Sequence, residues 1–140
     1  DQIELRYYGE PARVEPIAFP EASYSAAMGG NSEWAADRLR LSYESMVSPA
    51  TVHDYHVAER RLEALKVQEI PSGYDASLYR TERLEIEARD GTMIPVSVVM
   101  RHDRAPGGPL YLYGYGAYGI AIDPGFSTAR LSLVDRGFAY

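Results

Sequence analysis

The sequence predicts a mixed architecture: an antiparallel β region over residues 1–72, then an α/β region over residues 73–140. Three observations carry that prediction. The first half alternates apolar and polar residues with period two and is broken at short intervals by Pro and Gly. The stretch Ile70-Pro71-Ser72-Gly73-Tyr74-Asp75 then ends the alternation and reads as a linker. Beyond it, a hairpin pattern gives way to an unbroken apolar run, a glycine-rich loop and a helical stretch.

Taken in order, Ile3, Leu5 and Tyr7 alternate with polar neighbours, and an opening strand is expected over Asp1-Gln2-Ile3-Glu4-Leu5. Pro11, Pro16, Pro20 and Gly29-Gly30-Asn31 supply turns. Leu39, Leu41 and Tyr43 against Arg40, Ser42 and Glu44 give the clearest half-buried strand, and 51–57, after Pro49, gives another. The stretch 58–69 favours helix by intrinsic propensity through Glu59, Arg60, Arg61, Leu62, Glu63, Ala64 and Leu65. Its Leu65 and Val67 nevertheless alternate with Lys66 and Gln68 among strand neighbours, and strand is the expectation. Leu84 to Ala88 alternates, Asp90-Gly91 signals a tight turn, and 94–100 completes a hairpin.

After Pro106-Gly107-Gly108-Pro109, the run Leu110-Tyr111-Leu112-Tyr113 has no polar alternation, so a strand buried on both faces is expected. Ser127 or Thr128 caps a helix with Leu131, Leu133 and Val134 on its apolar side and Gly137 at its C-terminal end. Phe138-Ala139-Tyr140 opens a further apolar strand. Bare strands at both ends make the chain look like an internal piece of a longer one, and such a piece alone is expected to be unstable or to self-associate through unpaired strands.

Composition removes several classes. At 140 residues and 46% hydrophobic the chain carries enough apolar surface for a core. It has no cysteine, hence neither disulfide scaffold nor thiolate chemistry, and a cytoplasmic location is expected. No apolar run approaches the roughly 20 residues of a membrane helix, and a soluble chain without membrane association is expected. A net charge of −6 without clustered Lys and Arg argues against a nucleic-acid partner.

The segment Tyr113-Gly114-Tyr115-Gly116-Ala117-Tyr118-Gly119 holds most of the chemistry. Gly114, Gly116 and Gly119 fit the dinucleotide pattern G-x-G-x-x-G. That pattern needs a helix to open directly behind it, which Ile120-Ala121-Ile122-Asp123-Pro124-Gly125 prevents, and the tyrosines crowd the phosphate's approach. No cofactor is therefore expected. A plain packing turn is the second alternative. The third is an oxyanion loop: in α/β hydrolases the loop between the third strand and the first helix supplies a donor to the developing oxyanion, and a tyrosine hydroxyl can serve as that donor.

The same residues carry a resemblance. Leu112 through Gly119, with Phe126-Ser127, Arg130-Leu131 and Asp135-Arg136-Gly137-Phe138, resemble the prolyl oligopeptidase family of serine peptidases, and within it the oligopeptidase B branch. Gln68 through Asp75, Tyr79 through Leu84, Arg89-Asp90-Gly91, Ile94 through Ser97, and Ser45-Met46 with Pro49 extend it over nearly the whole chain. The resemblance implies an α/β-hydrolase domain capped by a β-propeller. Residues 1–72 would be the last propeller blade or blades, and residues 73–140 the start of the C-terminal part of the hydrolase domain. It also implies serine endopeptidase activity on oligopeptides after Arg or Lys, with Tyr115 as oxyanion donor and Tyr118 lining the primary specificity pocket.

The remaining machinery is missing. No G-x-S-x-G elbow occurs; Gly125-Phe126-Ser127-Thr128-Ala129 lacks the closing glycine, and Gly30-Asn31-Ser32-Glu33-Trp34 fails likewise. Ser127 reads as a helix cap. His53 and His56 on one strand point to opposite faces and do not suggest a metal pair, and His102 reads as a solvated loop residue. Arg130 and Asp135 are expected to serve packing. The chain alone is thus expected to be inactive. The rival expectation is a propeller-type β interaction module without catalysis.

Overall fold

The computed structural model describes residues 3–8 and 11–140; the expected opening residues Asp1 and Gln2 lie outside the described residues. Among the described residues the chain is mostly antiparallel β-sheet with one short α-helix. Strand β1 (Glu4–Tyr7) pairs with β2 (Arg13–Pro16). Strands β3 (Tyr24–Met28), β4 (Arg38–Ser45), β5 (Thr51–His56) and β6 (Arg61–Val67) form an antiparallel meander in chain order. The hairpin of β7 (Tyr79–Glu87) and β8 (Met93–Arg101) follows, then helix α1 (Thr128–Val134). No helix among the described residues is long and apolar enough to cross a membrane.

Alternation decides the faces of the meander. Leu41 and Tyr43 are buried while Arg40 before them and Ser42 between them are exposed. The register sets Leu39 opposite Tyr55 and Arg40 opposite Asp54, so one face is apolar and the other ionic. On the apolar face Ile17, Leu41 and Tyr55 form a core, joined by Ile3 and Leu5 of the first hairpin. The expected strand over 58–69 is present as β6, but Leu65 and Val67 face solvent and Leu62 is the residue packed on the core. The register shift between Val52 and His53 leaves Leu65 without a partner on β5, since Lys66 stands opposite Val52 and Ala64 opposite His53.

A second core joins the two halves of the chain. Ser45 Oγ accepts the N–H groups of Val47 at 3.1 Å and Ser48 at 2.8 Å, shaping the β4–β5 turn that carries Met46 and Val47. They pack with Tyr79 and Val99 of the hairpin and Leu131 and Val134 of α1. Within the linker-like stretch, the Tyr74 hydroxyl donates to the Val47 carbonyl. Asp75 then caps a single 3-10 turn, Ala76–Leu78, its Oδ1 accepting from Ser77 N–H at 2.9 Å.

The β7–β8 hairpin closes as expected at Asp90-Gly91. Gly91 sits at φ 83°, and Asp90 Oδ1 accepts from Thr92 N–H at 3.0 Å. The run Leu110 to Tyr113 departs from expectation: it is no strand buried on both faces. It makes one parallel bridge, Leu110 to Ala139, and Leu112 remains 79% exposed. The reason is that among the described residues only one neighbouring segment pairs with it. That neighbour is the expected last strand. Tyr140 exchanges two backbone hydrogen bonds with Val99, at 3.0 and 2.9 Å, while Ala139 N–H donates to Pro109 and its carbonyl accepts from Tyr111. Residues 139–140 thus lie between β8 and 109–111.

Candidate active site

The tyrosine–glycine loop is positioned at both ends. At its start, Tyr111 N–H donates to Ala139 at 2.8 Å, and the Tyr111 ring stacks on Tyr140 with centroids 5.3 Å apart. The Arg130 guanidinium covers the same Tyr140 ring at 4.7 Å. At its end, Arg130 Nη1 donates to Gly125 C=O at 2.6 Å, and Phe126 packs edge-on against Tyr74.

Between these ends the chain turns twice through left-handed backbone. Gly116 has φ 73°, where a glycine costs least. Tyr118 at φ 55° and Gly119 at φ 65° are the central residues of a tight turn closed by Ile120 N–H to Ala117 C=O at 3.1 Å, and two positive φ values in succession mark a type I′ turn. Tyr115 is half-exposed and Tyr118 almost wholly so, at 90%. Both side chains stand on the surface of one loop, beside exposed Leu112, Tyr113, Ile120 and Ile122. No helix opens behind the third glycine; α1 begins only at Thr128.

Of the other residues singled out by sequence, two stand at the ends of helix α1. Ser127 is the N-cap of α1, its Oγ accepting from Arg130 N–H at 3.3 Å. Asp135, at the other end, accepts from the Tyr79 hydroxyl at 2.7 Å and from Arg101 Nη1 at 3.3 Å. Burial first, and then this hydrogen bond, pushes the Tyr79 hydroxyl up to about 12. Arg130 and Asp135 therefore hold elements together, as expected. His53 rests edge-on against Tyr43 at 5.9 Å and burial lowers its pKa, whereas His56 Nε2 meets Glu63 Oε2 at 2.8 Å. His102 is exposed in the turn after β8.

Two features escaped the sequence. Asp54, buried in the meander, receives Arg40 Nε at 2.6 Å and Nη2 at 3.2 Å. Only the strand register brings these two together. The second is Glu44, whose Oε2 accepts from Phe126 N–H at 3.0 Å. In the sequence Glu44 is simply an outward residue of an alternating strand.

Comparison with known proteins gives these features a context. No family model matches the chain. The chain is 46% identical over 139 residues to dipeptidyl aminopeptidase BI of Pseudoxanthomonas mexicana, an alignment covering 97% of the chain and 19% of that protein. It is 30% identical over 141 residues to protease 2 of Moraxella lacunata, covering 99% of the chain and 20% of the relative. Among solved structures it superposes on oligopeptidase B from Trypanosoma brucei, closed form with covalently bound antipain, with a TM-score of 0.82 and 29% identity over 99% of the chain and 21% of that structure. The chain spans about a fifth of the length of the relatives it matches. Over nearly its whole length it is similar in sequence and fold to one segment of peptidases of the oligopeptidase B and prolyl oligopeptidase family.

Proposed function

We propose that the chain is a segment of a serine peptidase in which Tyr115 donates a hydrogen bond to the oxyanion formed as a peptide bond is attacked. The observation that carries this reading is the place of Tyr115. Its loop leaves a segment that pairs parallel with 139–140 and returns through helix α1, which is the position from which an α/β hydrolase takes an oxyanion donor. Parallel pairing requires a crossover connection, and here that connection contains both the loop and the helix. Residues 73–140 are accordingly read as the start of the hydrolase part. Residues 1–72, with the four-stranded meander β3 to β6, are read as the end of a β-propeller.

In this reading the chain supplies electrostatic stabilisation and pocket shape, and nucleophile, acid and histidine come from the rest of the polypeptide. Tyr118, on the type I′ turn three residues beyond Tyr115, lines the primary specificity pocket. The substrates are oligopeptides cleaved after Arg or Lys, as in the oligopeptidase B branch, and the protein acts in the cytoplasm. The dipeptidyl aminopeptidase relative sets the alternative cleavage mode, release of dipeptides from a free amino terminus. Blocked arginyl peptide amides and free-amine dipeptidyl amides, offered side by side, separate the two.

The experiment for Tyr115 is its replacement by Phe in the complete polypeptide. Removing one oxyanion donor lowers kcat on the order of a hundredfold. KM and the melting temperature should stay close to wild type, because the Tyr115 side chain is half-exposed. An undiminished kcat takes the role away from Tyr115. Absence of labelling by a serine-directed fluorophosphonate in the complete polypeptide would instead favour a β interaction module without catalysis.

A further inference from the structure

The tyrosine–glycine loop has little support of its own. Between 113 and 122 the chain is exposed, and one turn hydrogen bond, Ile120 N–H to Ala117 C=O, ties it internally. Its placement therefore depends on where its ends are fixed. The far end is held at Gly125-Phe126 from two directions. Arg130 of helix α1 grips the Gly125 carbonyl, and Glu44 of strand β4 accepts the Phe126 N–H, a contact spanning 82 positions of sequence. A β-carbon on Gly125 would lie 3.1 Å from Glu44 Oε1, so the absent side chain is what lets the carboxylate come this near.

Glu44 is well placed to act as an anchor. Strand β4 is hydrogen-bonded on both sides, by β3 and β5, and Glu44 itself stands opposite Ser25. The next residues, Ser45 to Val47, turn directly into the core shared with the hairpin and α1. A carboxylate on so fixed a backbone has little freedom, and a charged acceptor strengthens its bond to an N–H. Among the described residues Glu44 has no ion-pair partner, which leaves the Phe126 N–H as the group it serves.

We propose that Glu44 is a positioning residue: it ties the N-terminal sheet to the tyrosine–glycine loop and thereby sets where the Tyr115 hydroxyl stands. The consequence for rate rests on the oxyanion reading of Tyr115, whereas the structural coupling does not.

The test uses the complete polypeptide and two readouts, steady-state kinetics and amide hydrogen exchange over residues 113–126. Glu44→Ala should speed exchange across that segment and lower kcat by about tenfold, with KM changed far less. Glu44→Gln keeps an oxygen that accepts from Phe126 N–H and should restore most of both. Gly125→Ala pushes a methyl group at the carboxylate from the opposite side and should change exchange in the same direction on the native background, yet add nothing on Glu44→Ala. Combined with Tyr115→Phe, the loss from Glu44→Ala should be less than additive, because both act through one hydroxyl. Unchanged exchange over 113–126 in Glu44→Ala, or full additivity with Tyr115→Phe, overturns the positioning role. A normal rate in Tyr115→Phe overturns the oxyanion reading instead, and the exchange data then still decide whether Glu44 holds the loop.

Discussion

Asp54 shows how a single buried charge is made tolerable. It lies in the meander with its carboxylate against Arg40 and, at 3.9 Å, Arg38. The hydrogen bond from Arg40 outweighs burial and holds the carboxyl below the usual carboxylate range. A depressed folded-state pKa stabilises the native state fully above the unfolded value of about 4, and that contribution is lost as pH falls through the lower folded value. Asp54→Asn should therefore lower the melting temperature at pH 7, and the gap to wild type should shrink as pH is taken from about 5 towards 2. A gap that stays constant over that range would mean that the pair adds no charge-dependent stability. Tyr118 makes the opposite case, a residue that is costly where it stands. A left-handed backbone costs a side-chain-bearing residue roughly 1 to 2 kcal/mol, and Tyr118 occupies one with its ring exposed. Strain retained without packing in return is what a binding role for the ring would account for.

At the scale of elements, helix α1 is short enough that its ends decide its stability. Seven residues lie below the length at which a helix is stable alone, so caps and packing must hold it. Ser127 caps the start. Gly137, at φ 89°, ends it with Phe138 N–H bonded to Leu133 C=O and Gly137 N–H to Val134 C=O, the paired bonds of a Schellman motif. Ser127→Ala should cost about 1 kcal/mol. Gly137→Ala should cost about as much through backbone strain alone, since a Cβ there meets nothing within 4 Å. Gly137→Asn should recover part of that loss, asparagine tolerating left-handed backbone better than alanine. Urea denaturation midpoints check all three. Both caps were legible in the sequence, as was the β7–β8 hairpin, because a cap or a tight turn is specified by residues next to one another. The run Leu110 to Tyr113 was not, because burial on two faces depends on which segments come to lie beside it. The Arg40–Asp54 pair and the Glu44 contact failed to show for a related reason: strand register and packing between distant segments make them, and neither leaves a local pattern.

At the scale of the whole molecule, the chain has two apolar centres with different neighbours. The core around Leu41 is drawn from residues 3–62, whereas Met46, Val47, Tyr79, Val99, Leu131 and Val134 bring together the β4–β5 turn, the second hairpin and α1. A hydrogen bond at 2.6 Å between Ser23 Oγ and Ser97 Oγ adds another tie across residues 70–75. Large apolar side chains are exposed at several places, Trp34 and Leu84, Ile86, Met93 and Ile94 of the second hairpin among them, and 110–122 is the longest such stretch. Leu110, Leu112, Ile120 and Ile122 all face solvent, and beyond the bridge at Leu110 and the bond from Tyr111 N–H to Ala139 the backbone of 112–113 makes no hydrogen bond among the described residues. Apolar side chains gathered beside an open edge favour association with another chain. The 140-residue chain by itself should accordingly sediment as species larger than a monomer at tens of micromolar, with the proportion rising with concentration. Leu112→Asp combined with Ile120→Lys places charge on that surface without touching either core and should return the chain towards a monomer. If the unmodified chain sediments as a monomer throughout, or if the charged variant associates as strongly, the contact does not run through 110–122.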